Sequence, residues 1–167
     1  ILEEEINKID GVIITAGAFE ASDKKKSVVL RTLDIVSTAG ATADISGVMN
    51  TLPGTQTVGE EGRLFVRGGA GHEAKTFING LLVAEPYGST PQNIPSRFRF
   101  SPFLFKGAFF STGGYSAEYG QALSSVLQLN TYDLPARSQT DISVMSVGTD
   151  ISQTIRKNNT SVYGQLQ

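Results

Sequence analysis

The sequence predicts an α+β fold built mainly of short strands, and three observations predict it. Glycine occurs 18 times in 167 residues, above average usage, so tight turns should be frequent. Between those glycines lie short β-prone runs, of which 124–131 is the most regular. Helical spacing of apolar residues is confined mainly to 39–52, where Ile45, Val48, Met49 and Leu52 share one face and Pro53-Gly54 stops the run.

The elements follow in order. Residues 2–10 are acidic and read as a solvated tether. Gly11-Val12-Ile13-Ile14-Thr15-Ala16-Gly17 is apolar and β-prone, and the polar stretch 21–27 with Lys24, Lys25 and Lys26 follows it. An apolar strand-former between hydrophilic flanks suits pairing with the sheet edge of a partner. Residues 28–33 read as a strand. Residues 55–58 and 63–67 read as a hairpin around Gly59-Glu60-Glu61-Gly62, and 75–78 and 81–83 as a second one around Asn79-Gly80. A loop rich in Pro, Gly, Ser and Asn covers 86–95. Ser101-Pro102 has the chemistry of a helix start, so 103–106 should form one turn ending at Gly107. Strands are expected at 108–111 and 124–131. Asp133-Leu134-Pro135 breaks the pattern, and 141–148, 150–156 and 160–167 read as three amphipathic strands, the last two joined by Lys157-Asn158-Asn159.

Composition narrows the function. With 40% hydrophobic and 18% charged residues the chain belongs with folded proteins. A net charge of −2 gives no footprint for nucleic acid. The absence of Cys removes disulfides and thiolate chemistry. No apolar run reaches the ~18 residues of a membrane-crossing helix, a test that membrane β-strands escape by alternating. Catalytic motifs fail on context. Gly69-Ala70-Gly71-His72-Glu73-Ala74 meets a loose dinucleotide pattern but leads into a strand. Gly114-Tyr115-Ser116-Ala117-Glu118 has Glu where a nucleophile elbow needs its second Gly. His72, the only His, sits in a glycine loop and reads as exposed. The chain is expected to be no enzyme and to need neither cofactor nor metal.

Several stretches taken together, in order, resemble the plug domain of a TonB-dependent outer-membrane receptor. Val12-Ile13-Ile14-Thr15-Ala16 is similar to the TonB box. Leu52-Pro53-Gly54 through Val66-Arg67-Gly68 looks like the plug's helix end, hairpin and "VRG". Phe77-Ile78-Asn79-Gly80 matches its "ING/IDG" turn, and Ser116-Ala117-Glu118-Tyr119-Gly120 through Val126-Leu127-Gln128-Leu129-Asn130-Thr131 its closing strand. Two departures stand out: Ser111-Thr112-Gly113-Gly114 lacks the family's Arg and Pro, and Ser124-Ser125 replaces Gly-Gly.

The resemblance implies a small mixed β-sheet plug with short helices at 27–132, after a tether at 1–26. The first strands of an outer-membrane β-barrel would follow at 133–167. About 22 strands close such a barrel, so the chain is expected to be part of a longer receptor. By the same resemblance Val12, Ile13, Ile14, Thr15 and Ala16 would pair with TonB by strand addition. Arg67, Gly71, His72, Tyr87, Arg97 and Phe98 would lie on solute-facing loops, with Tyr87, Phe98 and Phe100 offering rings for contact, and Arg67 and Glu118 would touch the barrel. The implied function is the gate for uptake of a scarce solute, such as an iron complex, cofactor or oligomer, across the outer membrane, with the plug facing the periplasm. The competing reading is a free-standing periplasmic or surface α+β ligand-binding module.

Overall fold

A computed structural model describes residues 27–59, 61–88, 96–135, 137–145 and 148–166. The TonB-box-like residues Val12, Ile13, Ile14, Thr15 and Ala16 lie outside them. The element order is β1 (Ser27–Arg31), α1 (Thr32–Ser37), α2 (Ile45–Met49), β2 (Thr55–Val58), β3 (Glu61–Val66), β4 (Ala74–Ile78) and β5 (Leu81–Val83). After these come a 3-10 turn (Pro102–Leu104), β6 (Phe105–Ser111), a second 3-10 turn (Ala117–Tyr119), β7 (Ser125–Thr131), β8 (Gln139–Met145), β9 (Gly148–Lys157) and β10 (Thr160–Leu166). The architecture is a mixed sheet with two short helices, strand-rich and of α+β type.

Five strands form the central sheet in the order β1-β6-β7-β4-β5. β4 runs parallel to β7, and the other pairs are antiparallel. Alternation along β7 explains why both faces are covered. Leu127 and Leu129 point into one cluster with Ile35, Ile45, Val48, Met49, Leu64, Val66, Phe105 and Phe110. Val126 points the other way, onto Phe77, Tyr119 and Ala122. A bulge between Phe105 and Gly107 resets the β6 register against β7. It therefore brings Phe105 and Ala108, three residues apart, into the same core. Gly107 permits this: a Cβ there would stand 2.9 Å from the Leu30 carbonyl oxygen of β1.

The Asn79-Gly80 turn forms as its chemistry dictates, with φ of 50° and 80°, the pair of positive angles a two-residue hairpin turn requires. Asn79 also ties this turn to the end of β7. Its Nδ2 donates to Thr131 Oγ1 (2.8 Å), and its Oδ1 accepts from the Thr131 N–H (3.0 Å).

Three expectations need correction. The helix expected over 39–52 is only Ile45–Met49. Gly40, Thr42 and Ala43 all have positive φ, which breaks any helix before Asp44. The buried face (Ile45, Val48, Met49) is nevertheless the one expected. The strand expected over 28–33 stops at Arg31, where α1 begins; Asp34 marks that start by accepting from the Arg31 N–H at 2.9 Å. The turn expected over 103–106 is Pro102–Leu104, capped by Ser101, because Phe105 already joins β6.

The second sheet has the order β10-β9-β8. Its register, with Ile142 opposite Ile151, Ile151 opposite Leu166 and Ile155 opposite Val162, collects the apolar side chains on one face. Ile142, Val144, Ile151, Ile155, Val162 and Leu166 are all exposed there. The opposite face carries Asp141, Ser152, Thr154, Arg156, Tyr163 and Gln165. Arg156 fastens this sheet to the linker: its backbone N–H donates to Ser138 Oγ (2.9 Å) and its Nη1 to the Pro135 carbonyl (2.6 Å). Lys106 of β6 pairs with Asp133 at the start of that linker.

Candidate functional site

One end of the central sheet gathers the loops that follow β3, β5 and β6 and the starts of β4 and β7. The chain leaves toward β8 from the other end, beyond Thr131. The gathering begins on β3. Gly62 lies against loop residue Ser96; a Cβ at Gly62 would sit 1.5 Å from the Ser96 carbonyl oxygen, and the Gly62 N–H donates to Ser96 Oγ at 3.0 Å. Next along the strand, Arg63 packs its stem on Gly71, where a Cβ would come within 3.2 Å of Arg63 Cβ. Two separate loops, those after β3 and β5, thus meet at two adjacent residues.

The loop after β5 closes on itself. Tyr87 and Phe98 form a single antiparallel bridge. The Gly88 N–H donates to the Arg97 carbonyl (2.9 Å), and the Arg99 N–H to that of Pro86 (2.8 Å). Alternation across this bridge turns Tyr87 and Phe98 inward. They are 9% and 6% exposed and belong to the main core. Ring contacts run from Tyr87 edge-on to Phe98 (5.9 Å), tilted on to Phe100 (5.8 Å) and edge-on to Phe105 (6.3 Å). These rings therefore serve packing, and neither Tyr87 nor Phe98 offers an open face for stacking. The Tyr87 hydroxyl accepts from the Leu64 N–H at 3.2 Å. Burial pushes the Tyr87 phenol up to about 12, since the phenolate would lose its water.

Asp44 holds the loop from beneath. Its Oδ2 caps α2 by accepting from the Gly47 N–H (2.9 Å) and from Ser46 Oγ, while its Oδ1 accepts from the Phe98 N–H (2.8 Å). Beside it, Arg97 Nη2 donates to the Thr42 carbonyl at 2.7 Å. Arg63 and Arg99 converge on Glu85. Arg63 Nη2 lies 3.1 Å from Glu85 Oε2, and Arg99 Nη1 lies 3.2 Å from the Glu85 carbonyl. The Arg63 guanidinium also stands over the Tyr87 ring, 5.7 Å from its centre.

The remaining expected residues scatter along the same end. His72 is exposed and Gly71 half-buried. The loop 67–73 is tied down by Glu73, whose carbonyl accepts from the Leu123 N–H at 3.0 Å. Arg67 is exposed, with φ of 53°, and reaches over Gly113, where a Cβ would come within 3.4 Å of its Nη1. Glu118 is exposed on the second 3-10 turn, and neither it nor Arg67 has an ion pair among the described residues. No group of three His, Asp or Glu side chains gathers into a metal site among the described residues. Sequence reasoning missed Arg63, Glu85 and Asp44. Their partners lie 22 and 54 residues away along the chain, and no local pattern signals such a pairing.

No family model and no curated protein sequence matches the chain. Among solved structures it is similar to the siderophore receptor PirA from Pseudomonas aeruginosa, with a TM-score of 0.56 and 17% identity. The match covers 84% of this chain and 28% of that receptor, so the chain spans little more than a quarter of the receptor's length. At that identity the likeness is one of fold.

Proposed function

We propose that residues 27–132 are the plug of a TonB-dependent outer-membrane receptor and that 133–167 open its barrel. The observation that carries this reading is the fold likeness to a siderophore receptor over most of the chain. The second sheet supports it. Apolar side chains on one face and polar ones on the other are what strands need between lipid and a hydrated lumen. Three strands alone leave edges that hydrocarbon cannot satisfy, so further strands would have to close the wall.

In this reading the loops around Arg63, Glu85, Arg97 and Arg99 face the incoming solute, and the tether at 1–26 carries Val12 to Ala16 to TonB. Solute binding at the loop end would loosen the tether, which adds a strand to TonB; force through that strand would then remodel the sheet. The chain's part is binding and gating, with no bond made or broken. The test compares binding with uptake. Removing residues 1–16 from the intact protein should leave solute binding unchanged and abolish uptake. A variant that still imports the solute contradicts the proposal.

A further inference from the structure

The plug reading leaves open what kind of solute the loop end receives, and the contact of Arg63 with Glu85 bears on that. Glu85 reaches Arg63 through one oxygen only, Oε2 at 3.1 Å; its other oxygen takes the Tyr87 N–H at a long 3.4 Å. Arg63 is held from two other sides, with its stem on Gly71 and its guanidinium over Tyr87. Arg99 donates to the backbone carbonyl of the same Glu85. Two guanidinia are thus already held at Glu85, and its carboxylate engages only Arg63, through part of that side chain's donor capacity, while Arg99 takes the backbone carbonyl.

Resting on the plug reading, we propose that Arg63 and Arg99 form a carboxylate site whose Arg63 side Glu85 occupies, and that the solute bears a carboxylate which displaces it. The energetics favour exchange. Arg63 and Glu85 are 40% and 51% exposed, and such surface pairs contribute little, so opening this one costs little. An Arg fork pairs best with a carboxylate presenting both oxygens, a geometry stronger and more selective than the one-oxygen contact of Glu85. The displaced Glu85 side chain would return to water, freeing the loop after β5 from β3 at that point. The hold of Asp44 on the Phe98 N–H would remain.

Citrate is the probe, with glycerol as the neutral control, and calorimetry on the intact protein is the measurement. Glu85→Gln removes the competing charge but keeps an acceptor for the Tyr87 N–H. It should tighten citrate binding about fivefold, the cost of displacing one exposed pair. Arg63→Ala should weaken binding by roughly tenfold or more, and Arg63→Lys should fail to restore it, because an ammonium cannot offer the fork. Glycerol should bind none of them. Unchanged or weaker citrate binding by Glu85→Gln overturns the inference, as does full retention by Arg63→Lys or no citrate binding by any form. The assay involves no transport, so its failure is separable from failure of the plug reading, which uptake after removal of 1–16 decides.

Discussion

The carboxylate of Asp44 accepts a hydrogen bond from the backbone N–H of Phe98 at 2.8 Å, joining the first turn of α2 to a loop 54 residues further along. Asp44 is 7% exposed, and the same side chain caps the helix through Gly47. Its removal would strand two N–H groups at once. Asp44→Ala should therefore cost roughly 2–4 kcal/mol, combining a lost cap with a buried donor left unpaired. Urea denaturation of the intact protein measures this. Limited proteolysis should at the same time show faster cleavage within the loop after β5.

Tyr87 gives a pH signature. Its phenol is pushed up to about 12 in the folded chain from an ordinary 10. Because the folded pKa is the raised one, this stabilisation is fully present below pH 10 and is lost as pH climbs toward 12. Wild-type stability should fall across that window by about 2–3 kcal/mol through this group. Tyr87→Phe should lack that part of the fall, while losing about 1–3 kcal/mol at neutral pH because the Leu64 N–H keeps no partner. Equal alkaline falls in the two proteins would contradict this assignment.

Gly62 carries a steric prediction. A methyl group there would collide with the Ser96 carbonyl, which backbone cannot yield cheaply. Gly62→Ala should lower the melting temperature and detach the loop at Ser96, costing about 1–3 kcal/mol. Gly164, whose added Cβ would meet open space, is the control, and Gly164→Ala should stay within about 0.5 kcal/mol.

The second sheet predicts a difference between its faces. Ile151→Arg places a charge on the apolar face, whereas Thr154→Arg places one beside polar neighbours. If lipid covers the apolar face, the first should cost about 2–4 kcal/mol when the intact protein folds into vesicles, and the second about 1 kcal/mol or less. Equal costs would mean that lipid does not lie against Ile151.

Legibility in the sequence followed the range of the interactions. The Asn79-Gly80 turn, the hairpin of β2 and β3 and the alternation of β8 to β10 depend on residues a few positions apart; the turn appears where those residues predict it, and the strands within three residues of their expected bounds. Helix α1 was hidden because only Ile35 of its six residues is buried while Leu33 is exposed, so it shows no apolar stripe. The shortening of α2 arises from left-handed backbone at Thr42 and Ala43, residue types that rarely adopt it. At the candidate site, the glycine loop and Arg97 could be singled out locally. The pairing of Arg63 with Glu85 and the anchoring of Phe98 by Asp44 could not, since each exists only once the sheet has brought distant segments together.

A structure of the intact protein in a lipid nanodisc, determined by electron cryo-microscopy, tests the central proposal most directly. The account predicts residues 27–132 enclosed in a closed barrel whose wall begins with β8, β9 and β10, their Ile142 and Val162 side chains turned to lipid. A central sheet standing outside any barrel, or β8 to β10 folded away from the membrane, would contradict it.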